Sequence, residues 1–261
     1  MPSMKFTLLG SGTSTGVPLA GCSCAVCTSK NPKNYRDRTA ALIQLPSGYS
    51  ILIDAGPDLR QQCITHKVSR VDAVLFTHGH ADHILGTDDL RSFNFVHRKR
   101  IDCYGTKATL SSITRSFSYI FDPNESYLGG MLPQLDLHEF SNNDTLSIGQ
   151  ATFKTFALPH GDVEVTGFRI GQLAFCTDFK GLPPAVAPIL KGVKYLFIDG
   201  LRYEPHRTHN TIEEAIDIAQ QVQAERSFLI HTTHTVDYET VNAALPAGIE
   251  LGYDGLTIDF S

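Results

Sequence analysis

Apolar residues along the chain fall in two rhythms, short dense runs and helical spacing. Runs rich in β-branched and aromatic residues and bounded by Gly, Pro or Asp predict strands. The first, "KFTLLG" (5–10), runs into a Gly-rich loop, "GSGTSTGVP". "AALIQL" and "YSILIDAG" predict a hairpin closed by "PSG", and further strands are expected at 71–78 and 100–105. The second half repeats the grammar at 151–160, 165–171, 173–178, 195–201 and 226–234. Helical spacing covers 56–68, 106–121 and 211–223, the last opened by a capping box of Thr211 and Glu214. Residues 122–134 read as a long loop. Two groups of strands followed by helices predict an α/β protein, two sheets packed together with helices outside. No Pro/Gly/Ser linker divides the chain, so 1–261 reads as one domain.

Composition narrows the class. With 42% hydrophobic and 19% charged residues the chain is ordinary globular protein, so disorder is not the default. A net charge of −5 gives no general attraction to nucleic acid or to an anionic membrane. The opening "MPSMKFTLLG" is too short for a secretory signal, and no apolar run is long enough to span a membrane. These features predict a cytoplasmic protein whose six cysteines stay reduced.

Residues of metal-binding type recur just after predicted strands, at His78, His160, Asp178 and His231. Strand ends are where a rigid scaffold commonly presents functional groups. The densest group is "HGHADH", which holds His78, His80, Asp82 and His83. A tight turn there can direct His78 and His80 to one ion and Asp82 and His83 to another. Imidazole and carboxylate suit zinc, manganese or iron. A carboxylate such as Asp178 can bridge two cations about 3.5–4 Å apart, and His160 and His231 supply further ligands. The plain alternative is a polar loop of solvated histidines.

With His160, Asp178 and His231, the stretch "THGHADH" makes the chain resemble the metallo-β-lactamase-fold hydrolases along essentially its whole length. Within them it is most similar to the phosphoribosyl cyclic phosphate phosphodiesterase family. The segments behind that likeness are "GSGTSTGVP", "GCSCAVC", "DAGPDLR", "HADHILGTDDLR" and "HTTHTVDYETV". The resemblance implies a four-layer αβ/βα sandwich and two divalent ions, zinc or manganese, in the active site. It also implies hydrolysis of small cyclic or nucleotide phosphodiesters like 5-phosphoribosyl 1,2-cyclic phosphate.

Cys22, Cys24 and Cys27 can wrap three thiolates around one structural zinc, which needs a fourth ligand. His234 is expected there, since the family uses a histidine in that place; otherwise the thiols stay metal-free. Cys63, Cys103 and Cys176 lie among apolar residues and read as core. His209 matches a family histidine that serves the leaving group, and is assigned as general acid, with His206 a weaker second. Asp82 counts as catalytic as well as a ligand. Asp54 is expected to orient a ligand imidazole from behind, or to cap the following helix. Substrate phosphate is expected on the backbone amides of "SGTSTG" (11–16), Ser11, Gly12 and Thr13 among them, with charge added by Arg36, Arg38 or Arg91.

The expected partner is a small phosphodiester, with nucleic acid and membrane disfavoured and a homodimer left open. The alternatives are a nuclease like ribonuclease Z, for which no long basic arm is found, and a non-catalytic module that holds metal. Thiolester or lactam hydrolysis fits less well, because the nearby motifs differ.

Overall fold

The computed structural model describes residues 3–122 and 129–261. The loop read at 122–134 therefore has its middle, 123–128, outside the described residues. Two seven-stranded sheets face each other. The first holds β1 (Met4–Gly10), β2 (Ala40–Gln44), β3 (Ser50–Ile53), β4 (Ala73–Leu75), β5 (Ile101–Gly105) and β6 (Leu135–Glu139). The second begins with β7 (Thr145–Ile148), β8 (Ala151–His160), β9 (Val163–Ile170) and β10 (Leu173–Cys176). It continues with β11 (Tyr195–Asp199), β12 (Arg226–Ile230) and β13 (Ile249–Leu251), while β14 (Thr257–Phe260) returns to the first sheet beside β1.

Each sheet is mixed, and the two are built alike. In the first, β1, β2, β3 and β14 pair antiparallel, then β3 to β6 run parallel. In the second, β7 to β10 pair antiparallel and β10 to β13 run parallel. The predicted hairpin is present as β2 and β3, with Gln44 opposite Ser50.

Burial explains the layers. Phe6, Ile43, Ile53, Phe153, Phe175, Phe197 and Phe228 fill the space between the sheets, with the Phe6 and Phe197 rings 4.2 Å apart. The outer face of the first sheet packs on α1 (Leu59–Thr65), α2 (Ala81–Ile84), the segment leading into α3 (Arg91–His97), and α4 (Lys107–Ser116) with its short extension α5 (Ser118–Phe121). That of the second packs on α6 (Ala187–Leu190), α7 (Ile212–Val222) and α8 (Tyr238–Ala244). The expected αβ/βα sandwich is the observed one. In α7 the residues Ile212, Ala215, Ile218, Ala219 and Val222 form the buried stripe, and Thr211 and Glu214 close the capping box. Among the described residues no helix is long and apolar enough to cross a membrane.

Candidate metal centre

Because β3, β4, β8, β10, β11 and β12 point the same way within their sheets, their C-terminal ends share one edge. Asp54, His78, His160, Asp178, Asp199 and His231 sit at or just beyond those ends. The sheets are stitched together there, since Thr166 N–H of β9 donates to the Thr77 carbonyl at 2.9 Å. His78 and His80 precede α2, and Asp82 and His83 occupy its first turn. The loop after β3 lies backbone against backbone on this turn: Ala55 N–H donates to the His83 carbonyl at 2.8 Å. A Cβ on Gly56 would lie 2.0 Å from the Asp82 carbonyl, so only glycine fits there. Asp54 (φ 63°), Asp178 (φ 51°) and His231 (φ 61°) all adopt left-handed backbone. Strain of that kind in non-glycine residues gathers at functional sites.

The donor atoms converge in two groups. His78, His80 and His160 offer nitrogens within 4.8 Å of one another, and the carboxylate oxygens of Asp82 and Asp178 with the nitrogens of His83 and His231 form a second such group. Asp178 also lies within that distance of His160 and His209, which places it between the groups. The buried Nε2 atoms of His78, His83 and His231 have no hydrogen-bond partner. The opposite nitrogen of His231 is buried without a partner as well, but those of the other rings are held: His83 Nδ1–H donates to Asp54 Oδ2 at 2.7 Å, and His160 Nδ1–H to the Thr208 carbonyl at 3.0 Å. Thr77 Oγ1 donates to Asp54 at 2.8 Å and so accepts from His78 Nδ1–H at 3.0 Å. One carboxylate thereby fixes two rings with Nε2 turned inward, the arrangement that presents imidazole to a metal.

Electrostatics points the same way. Burial opposes charge on His83, but Asp178, Asp54 and Asp82 outweigh it and raise that imidazole well above its usual range. Burial likewise opposes ionisation of Asp82 and Asp178, yet the neighbouring histidines hold both carboxyls far below theirs. Burial lowers His78 and His160. The pocket is acid-rich and imidazole-rich, with proton-holding nitrogens that have no aligned acceptor. A divalent cation fits such a donor set, since it takes deprotonated nitrogen and oxygen ligands and displaces those protons.

His209 stands beside this cluster, its ring 4.7 Å from that of His160 and stacked 4.8 Å from His231. Its Nδ1–H donates to Asp199 Oδ2 at 2.9 Å, and Asp199 is fully buried. Asp199 also accepts from Phe179 N–H at 3.0 Å, which anchors the pair to the loop after Asp178. Sequence reading passed over Asp199. The available signal was its place at the end of an apolar strand, "YLFID", like Asp54 and Asp178.

The four residues of the cysteine motif also meet. Cys22, Cys24, Cys27 and His234 bring their sulfur and nitrogen atoms within 4.8 Å of one another. His234 Nδ1 is 3.5 Å from the sulfurs of both Cys22 and Cys24. Hydrogen bonds from His234 and the Cys27 amide pull the Cys24 thiol down to about 6, while burial pushes Cys27 up to about 11. Cys63, Cys103 and Cys176 are buried apart from this cluster.

The expected phosphate nest is already engaged at its first three residues. Ser11 N–H and Oγ–H donate to Asp254, Gly12 N–H to the Asp37 carbonyl and Thr13 N–H to the Thr232 carbonyl, so all three amides are occupied. These three residues tie the end of β1 to the segment after His231, and their amides are not free for a ligand. Arg36 is 1% exposed and donates to the carbonyls of Thr233 and Val236, which clamps the same segment. Arg38 pairs with Asp58 at 2.7 Å and Arg91 with Asp88 at 3.2 Å.

Residues 49–232 match the family model described as β-lactamase superfamily domain. The class is thus the metallo-β-lactamase fold. A solved diphosphatase of the PhnP family superposes with a TM-score of 0.92 at 37% identity, covering 99% of this chain and 97% of that one. The chain belongs to the β-lactamase superfamily and, within it, to the PhnP family. Zinc-bound PqqB from Methylobacterium extorquens shares the fold at a TM-score of 0.80 and 19% identity, covering 98% of this chain and 100% of that one. An octanoyltransferase of Porphyromonas gingivalis is 41% identical over 97% of this chain, which spans only 51% of that protein.

Proposed function

We propose that the protein is a metal-dependent phosphodiesterase acting on small cyclic or nucleotide diesters. His78, His80 and His160 would hold one divalent ion, Asp82, His83 and His231 the other, and Asp178 would bridge them. Zinc or manganese there supplies a water of lowered pKa and neutralises phosphate charge. The chain's own residues do the rest. Asp54 and Thr77 keep His83 and His78 in the ligand tautomer, and the Thr208 carbonyl does so for His160. Asp199 accepts the Nδ1–H bond of His209 and orients the ring, and the doubly protonated imidazolium would deliver its Nε2 proton to the departing oxygen, leaving the neutral imidazole. Cys22, Cys24, Cys27 and His234 would hold a structural zinc away from the reaction.

The observation that carries this reading is the buried Asp199–His209 pair beside the two donor groups. A fixed proton donor suits a poor leaving group such as a sugar alkoxide. Hydrolysis of a diphosphate is the second reading, favoured by the likeness to the PhnP-family diphosphatase. Octanoyl transfer is not proposed, because half of the octanoyltransferase lies outside the match. The test is turnover by metal-stripped protein reloaded with zinc or manganese. The panel comprises bis-p-nitrophenyl phosphate, ribose cyclic phosphate, 2′,3′-cyclic nucleotides, a nucleoside diphosphate and a tRNA precursor. Metal-dependent cleavage of the cyclic diesters is expected. Faster cleavage of the diphosphate would favour the second reading, and no cleavage of any phosphate ester would sink both.

A further inference from the structure

Behind the metal centre one donor and one acceptor are left over, close together. His231 Nε2 belongs to the donor group, 3.2 Å from Asp178 Oδ2 and 3.7 Å from Asp82 Oδ2. Its Nδ1, on the other side of the ring, is buried and has no hydrogen-bond partner among the described residues. Asp199 Oδ1 is buried and unpartnered too. Oδ2 of the same carboxylate is fully used, since it accepts from Phe179 N–H at 3.0 Å and from His209 Nδ1–H at 2.9 Å. A carboxylate oxygen of Asp199 and one ring nitrogen each of His209 and His231 lie within 4.8 Å of one another.

The fold brings these residues together. β11 and β12 run parallel with Asp199 opposite Ile230, and Gly200 N–H donates to the Ile230 carbonyl at 3.0 Å. His231 is the next residue, and its ring stacks on that of His209 with the planes 11° apart. An imidazole that gives Nε2 to a cation keeps its remaining proton on Nδ1, and a buried N–H needs an acceptor. The buried rings of His78, His83 and His160 have theirs in Thr77, Asp54 and the Thr208 carbonyl. His231 is the buried ligand histidine without one.

Resting on the reading that His231 holds an ion, we propose that Asp199 is a positioning residue for two rings at once. Oδ2 orients His209, while Oδ1 accepts from His231 Nδ1–H, directly or through one water, and so keeps Nε2 free for the metal. Asp199 thus does for His231 what Asp54 does for His83, and the proton donor and a metal ligand share one anchor.

Asp199→Asn separates the two contacts. The amide oxygen must take the Oδ2 place, because the fixed Phe179 backbone N–H would otherwise meet an NH2 group. The bonds to Phe179 and His209 then persist, and the NH2 falls at the Oδ1 place, where it drives the proton of a neutral His231 onto Nε2. Metal-stripped protein is titrated with manganese, which the cysteine thiolates disfavour, and the free ion is read by electron paramagnetic resonance. Wild type is expected to bind two ions, and Asp199→Asn to hold one of them about 10- to 100-fold more weakly. His209→Ala, which removes only the other ring, should keep manganese affinity close to wild type. Unchanged affinity in Asp199→Asn, or an equal loss in His209→Ala, would overturn the assignment. Long-range nitrogen–proton correlation spectra of histidine-labelled, metal-stripped protein at alkaline pH read the same bond without any ion, the His231 signals being identified by their loss in His231→Gln. A proton on Nδ1 in wild type and on Nε2 in Asp199→Asn supports the assignment, and the same tautomer in both refutes it. Should wild type bind no manganese, the metal reading fails and this spectrum alone decides.

Discussion

Asp54 connects fold to function through two substitutions with opposite signatures. The side chain is fully buried and accepts from Thr77 N–H at 2.8 Å, Thr77 Oγ1–H at 2.8 Å and His83 Nδ1–H at 2.7 Å. Asp54→Ala orphans the Thr77 amide and the His83 ring nitrogen, since only the hydroxyl can turn elsewhere. At about 1–3 kcal/mol for each buried group left unsatisfied, the loss is about 2–6 kcal/mol. Alanine in the left-handed backbone of this residue adds about 1–2 kcal/mol. A loss of about 3 kcal/mol already lowers Tm by about 6–12 °C in a chain of this size. Asp54→Asn behaves differently. Asparagine tolerates positive φ, and its amide can accept from Thr77 N–H while its NH2 donates to His83 Nδ1. That contact forces the proton of a neutral His83 onto Nε2, the atom that faces the donor group. The variant should fold within about 1 kcal/mol of wild type yet bind one of its active-site ions about 10- to 100-fold more weakly. Urea unfolding of metal-stripped protein and zinc titration against a chelating dye measure the two quantities separately. Wild-type zinc affinity in Asp54→Asn would refute the tautomer argument, and wild-type stability in Asp54→Ala would refute the hydrogen-bond argument.

Two further outcomes concern groups outside the centre. Cys24→Ser is expected to remove about one zinc per chain and lower Tm, because metal bound only by the folded chain stabilises it; elemental analysis showing that zinc retained in His234→Ala would exclude histidine as the fourth ligand. Burial pushes the Asp254 carboxyl up to about 7, although Ser11 and the Asp37 amide oppose the rise. A carboxyl whose folded pKa exceeds its ordinary value of about 3.9 favours folding below that window and loses this contribution as pH rises through it. Wild type should therefore lose stability relative to Asp254→Asn between pH 5 and pH 8. Parallel Tm profiles for the two proteins over that range would contradict the shift.

The strands legible in the sequence were those buried on both faces or paired on both sides. The four that sequence reading passed over, β6, β7, β13 and β14, are the four sheet edges. Three to five residues long and carrying groups such as Glu139, Thr145, Glu250 and Asp259, they lack the dense apolar runs that marked the others. The same division holds in the site. The group His78 to His83 is local and stood out by composition. Asp199 holds a partner ten residues away, and nothing in "YLFID" declares that bond. The first amides of the expected phosphate nest show the converse: the group that occupies Ser11 is Asp254, 243 residues on, and sequence does not show whether an amide is already used.

The central claim is that this site delivers a proton to a poor alkoxide leaving group, and His209 tests it most directly. Bis-p-nitrophenyl phosphate releases a phenolate that departs without help, whereas a ribose cyclic diester releases an alkoxide that needs the proton. His209→Ala, with metal content verified, should lower kcat/KM on the cyclic diester by about 10²- to 10⁴-fold. The aryl diester should lose far less. Equal losses on both substrates would contradict the account and leave His209 as a group that binds phosphate or holds its loop.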